Sequence, residues 1–244
     1  MGKGLHYPSG KIRSVKLLAL ETSTHMLSVA LSIDDSLIER AEFCANGGSD
    51  RLLLWVQQVL AEAGISLKQL DAIAFGAGPG SFTGLRMACG VAQGLAYGAD
   101  LPVIPIVTLA ALALAQGSGR RLACLDARMN EVYCAAYEVK DNEVEEILAP
   151  LVCPPELLPL PPGREWIGCG DGFASYADTL AARLGDALSS IDPQVPALAS
   201  AVARLAVRQF REGRALPPAQ AVPFYVRDKV ALTTRERLAR GGSK

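Results

Sequence analysis

The sequence predicts an α/β protein of two lobes that repeat one order of elements. Three observations support this class. Half of the 244 residues are apolar, which is enough for a substantial core. Short apolar runs with strand patterning alternate with segments of helical periodicity. Each half opens with hairpin-like strands and continues with helices and strands in alternation, and a seam is expected near residues 108–120.

The first half opens with three predicted strands. Residues 16–20 form a short apolar run that ends at the polar cluster 21–24. Residues 27–33 alternate apolar with polar side chains and stop at Asp34. Two strands joined by a tight polar turn fit this pattern, and residues 37–43 supply a third strand.

Helices and strands then alternate. Apolar residues recur at helical spacing between Asp50, a candidate N-cap, and Gly64, a candidate C-terminal stop. A glycine-rich turn is expected to join a short strand to a second helix. The predicted elements are helix 50–63, a capping box at 66–69, strand 72–75, the glycine-rich turn 76–84, helix 85–97, strand 103–107 and a helix from Thr108, its expected cap, towards Gln116.

The second half restarts the same order. Two strands flank a polar turn, a third strand follows, and a proline-rich bridge leads to another strand and two helices. The predicted elements are strands 122–125, 132–139, 144–148 and 166–170 and helices 173–184 and 197–210. The expected domains are a flexible leader (1–15), a first lobe with partner-binding helices (16–110), a second lobe (111–222) and a C-terminal tail (223–244).

The overall charge balance argues against a strongly basic nucleic-acid-binding protein and against a disordered chain. With 24 Lys and Arg against 25 Asp and Glu, the chain is neither strongly basic nor disordered in composition. From residue 227 onward, six basic residues face two acidic ones. This tail is either a solvated terminus or a segment that touches a nucleic-acid backbone.

The cysteines and the absence of targeting signals favour the cytoplasm. The six cysteines lie ten or more residues apart without a C-x-x-C pair, which favours buried thiols in a reducing compartment. No secretory signal is recognised, and prolines interrupt the apolar stretch 101–119. We therefore expect a cytoplasmic protein that does not enter a membrane.

Two glycine patterns leave alternatives open. The turn 76–84 could present backbone N–H groups to an anion, but it matches neither common phosphate-binding motif, so tight packing without a ligand is equally acceptable. Gly90, Gly94 and Gly98 repeat every fourth residue in a predicted helix, although each interior glycine costs about 1 kcal/mol relative to alanine. They form a shallow groove for either an internal neighbour or another molecule.

Few residues are suited to chemistry. Glu21 and Asp126 each end the first strand of a lobe, where they could hold a metal–nucleotide complex. The only histidines are His6 and His25, without a metal-binding spacing, so no metal site is predicted. Ser81 does not stand in a nucleophile elbow. This set is poorly equipped for acid–base catalysis.

Four segments resemble the TsaB family, also called YeaZ. They are LLALETST (17–24), AFGAGPGSFTGLR (74–86), LDARMNEVY (125–133) and PFYVRDKVA (223–231). The resemblance spans nearly all of residues 16–231, and the glycine-rich string is highly specific. It implies a two-lobed actin/Hsp70/sugar-kinase-like (ASKHA) fold, with a duplicated mixed sheet and flanking helices.

The resemblance also implies a role in making threonylcarbamoyladenosine beside the anticodon of tRNAs that read A-initial codons. In that pathway the paralogue TsaD holds the metal and transfers the threonylcarbamoyl group. TsaB pairs with TsaD, the ATPase TsaE docks on the pair, and TsaB forms a homodimer when alone. A non-catalytic dimerisation subunit without a cofactor, which meets tRNA only through the complex, is therefore expected.

Site residues follow from the same resemblance. TsaD-type relatives carry a metal-binding histidine pair near the first helix, whereas residues 46–52 contain no histidine. The partner surface is expected on the two helices of the first lobe. The expected sets are Leu52, Leu53, Val56, Met87, Gly90, Val91, Gly94 and Gly98 for the partner, Glu21, Thr22, Ser23 and Asp126 for a vestigial nucleotide site, and Gly78, Gly80, Ser81, Thr83, Gly84 and Arg86 for the family-motif loop.

Two alternatives remain at this point. The first is an ATP-dependent small-molecule kinase or carbamoyltransferase of the same fold that uses Glu21 and Asp126. The second is a metallopeptidase-like protein, whose metal ligands cannot be found in the sequence.

Overall fold

The computed structural model describes residues 14–44 and 48–227. Its first lobe contains a five-stranded sheet in the order β3-β2-β1-β4-β5. The hairpin strands β1, β2 and β3 are antiparallel, whereas β4 and β5 run parallel to β1. The strands are β1 (Lys16–Glu21), β2 (Met26–Ile33), β3 (Ser36–Phe43), β4 (Ala72–Gly78) and β5 (Val103–Val107).

The second sheet repeats this topology. Its order is β10-β9-β6-β7-β8, in which β6, β7 and β8 form the antiparallel part and β9 and β10 are parallel to β6. Adding 5 to each strand number of the first order gives the second order read from its other edge. The strands are β6 (Gly119–Arg128), β7 (Glu131–Lys140), β8 (Glu143–Cys153), β9 (Trp166–Cys169) and β10 (Leu188–Asp192). The predicted two-lobed, duplicated ASKHA-like α/β fold is confirmed.

Six α-helices in the described residues cover and separate the sheets. Helices α1 and α2 cover one face of the first sheet, α3 and α6 pack in the core between the two sheets, and α4 and α5 pack against the outer face of the second. Among the described residues, no helix combines the length and the hydropathy that a membrane span requires. The helices are α1 (Ser49–Glu62), α2 (Phe82–Ala99), α3 (Thr108–Ala115), α4 (Gly172–Ser175), α5 (Ala177–Leu184) and α6 (Ala199–Arg211).

Local backbone conformations account for several differences from the predicted boundaries. The single helix predicted at 173–184 is broken at Tyr176, whose φ of −131° and ψ of 40° are not helical. Helix α1 begins after Gly48, so Asp50 lies in the first turn rather than at the N-cap. Thr108 does not cap α3, because its hydroxyl group bonds to Glu21 and Ser23 instead. Strand β10 was not predicted, since its side chains are mostly exposed and polar.

Helix α6 follows the second sheet in the chain but packs against the first. The Ala199 N–H donates to Ser28 Oγ at 2.8 Å, and the Ser200 N–H donates to Glu39 Oε1 at 2.7 Å. Side chains of β2 and β3 therefore satisfy the N–H groups that a helix start leaves unpaired. This capping fixes the end of α6 on the first sheet.

Segments near both ends of the described chain are anchored to the first lobe. Ser14 and Val15 bond to the Asp34 carboxylate, so these two residues of the predicted leader are held, and residues 1–13 lie outside the described part. At the other end, Leu216 exchanges two backbone hydrogen bonds of 2.8 Å with Val103. The chain then continues along α2 towards the space between the lobes.

Candidate functional site

A cleft of about 740 Å³ separates the two lobes. Its first wall is formed by residues 22–25, which follow β1, and residues 79–85, which follow β4. The second wall is formed by residues 125–129 of the β6–β7 hairpin, and residues 224–227 cross between the walls. Since β1 and β4 are parallel, their carboxyl ends meet at the same sheet edge, where α/β proteins commonly place functional groups.

The glycine-rich loop of the cleft packs directly on the segment after β1. A Cβ atom at Gly84 would lie 1.9 Å from the Thr22 carbonyl oxygen, and one at Gly80 would lie 2.3 Å from that of Ser23. The two segments are bonded through Ser81 N–H to Ser23 O and through Thr22 Oγ1–H to Gly84 O, each at 2.7 Å. Close backbone packing therefore explains these glycines without a bound anion.

Glu21 is buried beneath the cleft and does not line it. Its Oε1 accepts hydrogen bonds from the Ser23 N–H at 2.6 Å and from the Ser23 hydroxyl group, and Oε2 accepts one from Thr108 at 3.4 Å. Burial raises the pKa of this carboxyl group, although the hydrogen bonds oppose the shift. The side chain ties the first strand to α3 and is not presented to a ligand.

Asp126 does line the cleft, but its carboxylate is already partnered. It accepts a hydrogen bond from the Arg128 N–H at 2.8 Å and pairs with the Arg128 guanidinium group at 3.0 Å. The Tyr176 hydroxyl group donates to the same carboxylate at 3.2 Å. Of the four residues expected in a vestigial nucleotide site, Thr22, Ser23 and Asp126 thus face the cleft, while Glu21 lies behind it.

The rest of the family-motif loop begins helix α2. Ser81 is the N-cap, with its Oγ 3.5 Å from the Gly84 N–H, and Thr83 is exposed at the cleft. The Arg86 guanidinium group lies 3.7 Å from the centre of the Phe82 ring. Gly78 has a φ of +117°, and a Cβ atom there would lie 2.9 Å from the Phe224 carbonyl oxygen. The loop is therefore shaped by α2 and by the C-terminal segment.

The opposite wall contains an unusual turn. Arg128, Met129 and Asn130 have φ values of 60°, 57° and 60°. A left-handed conformation is acceptable for Asn but costs other L-residues about 1–2 kcal/mol each. The turn is therefore held by its surroundings, among which Asp126 bonds to Arg128.

Metal-binding geometry is lacking in the described residues. They contain no group of three or more His, Cys, Asp or Glu side chains that could hold a metal ion. His25 lies at the cleft, with its ring centroid 5.9 Å from that of Phe43. His6 lies outside the described residues. No disulfide bond joins any of the six cysteines, which all lie in the described part of the chain, and four of them are buried.

A second candidate surface lies on the outer side of α2. Gly90, Gly94 and Gly98 are exposed, and a Cβ atom at any of them would have no neighbouring atom within 4 Å. Within the described residues, an internal neighbour therefore does not explain these glycines. Met87 and Val91 are half-buried beside them, and Tyr97 is 60% exposed.

The exposed residues of α1 on this side of the lobe differ from those that the sequence predicted. Leu52 and Val56 are buried in the core under α1, so their side chains cannot contact a partner. Leu53 is 46% exposed, and Leu54, which sequence reasoning did not select, is 49% exposed. Three consecutive leucines at 52–54 cannot all lie on the one helix face that packs on the core. The sequence therefore already indicated that at least one of them is exposed.

Comparisons with known proteins agree across most of the chain. Residues 42–233 match the family model described as TsaD: tRNA N6-adenosine threonylcarbamoyltransferase. The Escherichia coli K12 tRNA threonylcarbamoyladenosine biosynthesis protein TsaB is 37% identical over 229 residues, which cover 89% of this chain and 96% of that protein. The Haemophilus influenzae TsaB is 43% identical over 59% of this chain and 66% of its own length.

A solved structure supports the same relationship. YeaZ from Pseudomonas aeruginosa superimposes with a TM-score of 0.81 at 37% sequence identity, covering 86% of this chain and 99% of that structure's chain. The similarity therefore includes both lobes and is not confined to the glycine-rich motif.

Proposed function

Because this chain belongs to the TsaB family, we propose that it is the non-catalytic dimerisation subunit of its pathway. The family places the chain in the biosynthesis of threonylcarbamoyladenosine in tRNA. In our proposal the chain supports transfer of the threonylcarbamoyl group to the adenosine beside the anticodon, in tRNAs that read A-initial codons, without performing the transfer itself.

The observation that carries this proposal is the open glycine surface of α2. Gly90 and Gly94 in the interior of α2 each weaken an isolated helix by about 1 kcal/mol relative to alanine, and Gly98 lies in its last turn. The missing side chains of all three leave free space outside the protein. A partner helix can approach such a surface closely. Exposed Leu53, Leu54 and Tyr97 on the same side of the lobe add apolar area for such a contact.

The state of the cleft supports the absence of catalysis. Glu21 is buried and bonded to Ser23 and Thr108, and Asp126 is paired with Arg128. Glu21 is not accessible from the cleft, and Asp126 would have to give up its contacts with Arg128 to bind a metal–nucleotide complex. This arrangement disfavours the alternative of an ATP-dependent kinase or carbamoyltransferase, and no cofactor is included in the proposal.

The proposed partner is TsaD, which would perform the transfer, with TsaE docking on the pair. When TsaD is absent, the same α1–α2 surface would join two copies of this chain. The tRNA would be met through the complex, in the cytoplasm. One surface would thus serve two mutually exclusive pairings.

Measuring mass in solution tests the pairing. The protein alone is expected to be a homodimer and to exchange into a heterodimer when the TsaD of the same organism is added. Gly94→Leu places a large side chain where a partner helix would approach, so both associations are expected to be lost while the monomer stays folded. Light scattering gives the mass, and circular dichroism checks the fold.

Ala182→Leu is the matched control, because it adds the same side chain at an exposed helical position of the second lobe. It should pair normally. Normal pairing of Gly94→Leu would refute the proposed surface. Threonylcarbamoyl transfer by this chain alone, or micromolar ATP binding that is lost in Glu21→Ala and Asp126→Ala, would refute the non-catalytic assignment.

A further inference from the structure

The C-terminal segment of residues 214–227 is attached to the first lobe at several points. Beyond the Leu216–Val103 pair, Gln93 donates to the Pro218 carbonyl oxygen at 2.9 Å, and Ala221 is buried in the core under α2. The Phe224 N–H then donates to the Ala77 carbonyl oxygen at 2.7 Å. This part of the segment is therefore an integral piece of the first lobe.

Tyr225 is the last attachment on that side of the cleft. Its hydroxyl group lies 3.3 Å from Arg86 Nε, which donates to it, and its ring centroid lies 5.9 Å from that of Phe82. Both partners belong to the first turns of α2. Beyond this point the described chain crosses to the other lobe.

Arg227 makes the contacts on the far side. Its Nη2 donates to the Ala127 carbonyl oxygen at 3.2 Å and forms an ion pair with Glu131. Its guanidinium carbon lies 5.7 Å from the centre of the Tyr133 ring, and Nη1 lies 3.7 Å from Met129 Sδ. The side chain is only 15% exposed, which makes the ion pair stronger than a fully solvated one.

These contacts surround the left-handed turn at 128–130. Ala127 and Glu131 flank the turn, and Met129 lies in it. Such a turn persists only when its surroundings hold it. Arg227 thus contacts the second cleft wall at the turn that closes the β6–β7 hairpin.

We infer that Arg227 is a latch that holds the two lobes together across the cleft, through the β6–β7 hairpin. The segment from Leu216 to Tyr225 anchors the latch to the first lobe, so loss of this one side chain would free the hairpin while leaving the apolar core between the two sheets intact. This device is independent of the pairing surface and of the proposed function.

Distance measurements across the cleft test the latch. Spectroscopic labels carried by unnatural amino acids at Gln57 on α1 and Glu145 on β8, both exposed, avoid the six native cysteines. Compared with the latched protein, Arg227→Ala should shift the distances between labels to larger values and broaden their distribution. Glu131→Ala should give a shift in the same direction, and combining both substitutions should add little, because they break one interaction.

Arg214→Ala is the matched control, since its guanidinium group pairs with Glu212 on the first-lobe side. It should leave the distances unchanged. Circular dichroism establishes that each variant is folded, with Arg227→Gln replacing Arg227→Ala and Glu131→Gln replacing Glu131→Ala where the alanine variant does not fold. Unchanged distances in folded Arg227→Ala and Glu131→Ala would overturn the latch, and so would loss of folding in every variant of the pair.

Discussion

Gly84 and Gly94 lie on the same helix, yet they are glycines for opposite reasons. At Gly84 the molecule itself fills the space, because the Thr22 carbonyl oxygen lies 1.9 Å from where a Cβ atom would be. At Gly94 that position has no neighbour within 4 Å. The monomer therefore explains the first glycine, whereas the second makes sense only if something outside the monomer approaches α2.

The contrast separates folding from association. Gly76 in β4, Gly80 in the loop that follows and Gly84 in the first turn of α2 let this stretch pack on Glu21, Ser23 and Thr22. Gly90, Gly94 and Gly98 contribute nothing visible to the fold and weaken the helix that contains them. Substitutions in the first set should change stability, and substitutions in the second set should change pairing.

Gly84→Ala is expected to have the largest effect. The added methyl group would collide with backbone rather than with a flexible side chain, so the loop or the segment after β1 must move. We expect the free energy of unfolding to fall by at least about 3 kcal/mol, at the upper end of overpacking effects. Urea denaturation measures this change. A loss below about 1 kcal/mol would show that the packed region is not rigid and would remove the contrast between the two glycine sets.

The substitution Glu21→Gln tests whether the stability of the packed region depends on the shape of this side chain or on its charge. Burial raises the pKa of Glu21 above its ordinary value of 4.5. A raised pKa contributes stability that is present below the unfolded-state pKa and is lost as the pH rises through the folded-state pKa. The wild type should therefore lose stability relative to the Gln variant across that window, by at most about 1.4 kcal/mol per pH unit.

The test for Glu21 is urea denaturation of both proteins between pH 5 and pH 9. The Gln side chain keeps an acceptor for the Ser23 N–H, so the variant should fold and should be the more stable protein at high pH. A wild type that gains stability over the variant as the pH rises would mean that the charged carboxylate, rather than its shape, organises this region.

Much of the fold could be predicted because local sequence patterns determine most of its strands and helices. The element order of the first lobe follows from patterns such as the alternation in β2 and the glycine-rich boundary before α2. The same order recurs in the second half of the sequence and therefore predicted the repeat. The missed strand β10 has mostly exposed side chains and little apolar pattern. Periodicity cannot detect such a strand, because its position depends on pairing with β9.

The site was harder to predict because its contacts join distant residues. The bonds from Arg227 to Ala127 and Glu131 span about a hundred residues, and the N–H groups of α6 are capped by β2 and β3. Burial also decided between neighbours that look alike in the sequence: Leu52 is buried, whereas Leu53 is exposed. Likewise, only the three-dimensional structure distinguishes the glycine of α2 that packs against backbone, Gly84, from the glycines that face open space.

Gly94→Ala is the smallest change and the most direct test of the central claim that the glycine surface serves a partner. The methyl group meets open space in the monomer and improves helix propensity, so the free energy of unfolding, measured below the concentration of dimer formation, should rise by about 0.5–1 kcal/mol. The same methyl group should weaken pairing by at least about tenfold, or about 1.4 kcal/mol, in sedimentation measurements. A monomer that is stabilised while its dissociation constant is unchanged would contradict the claim.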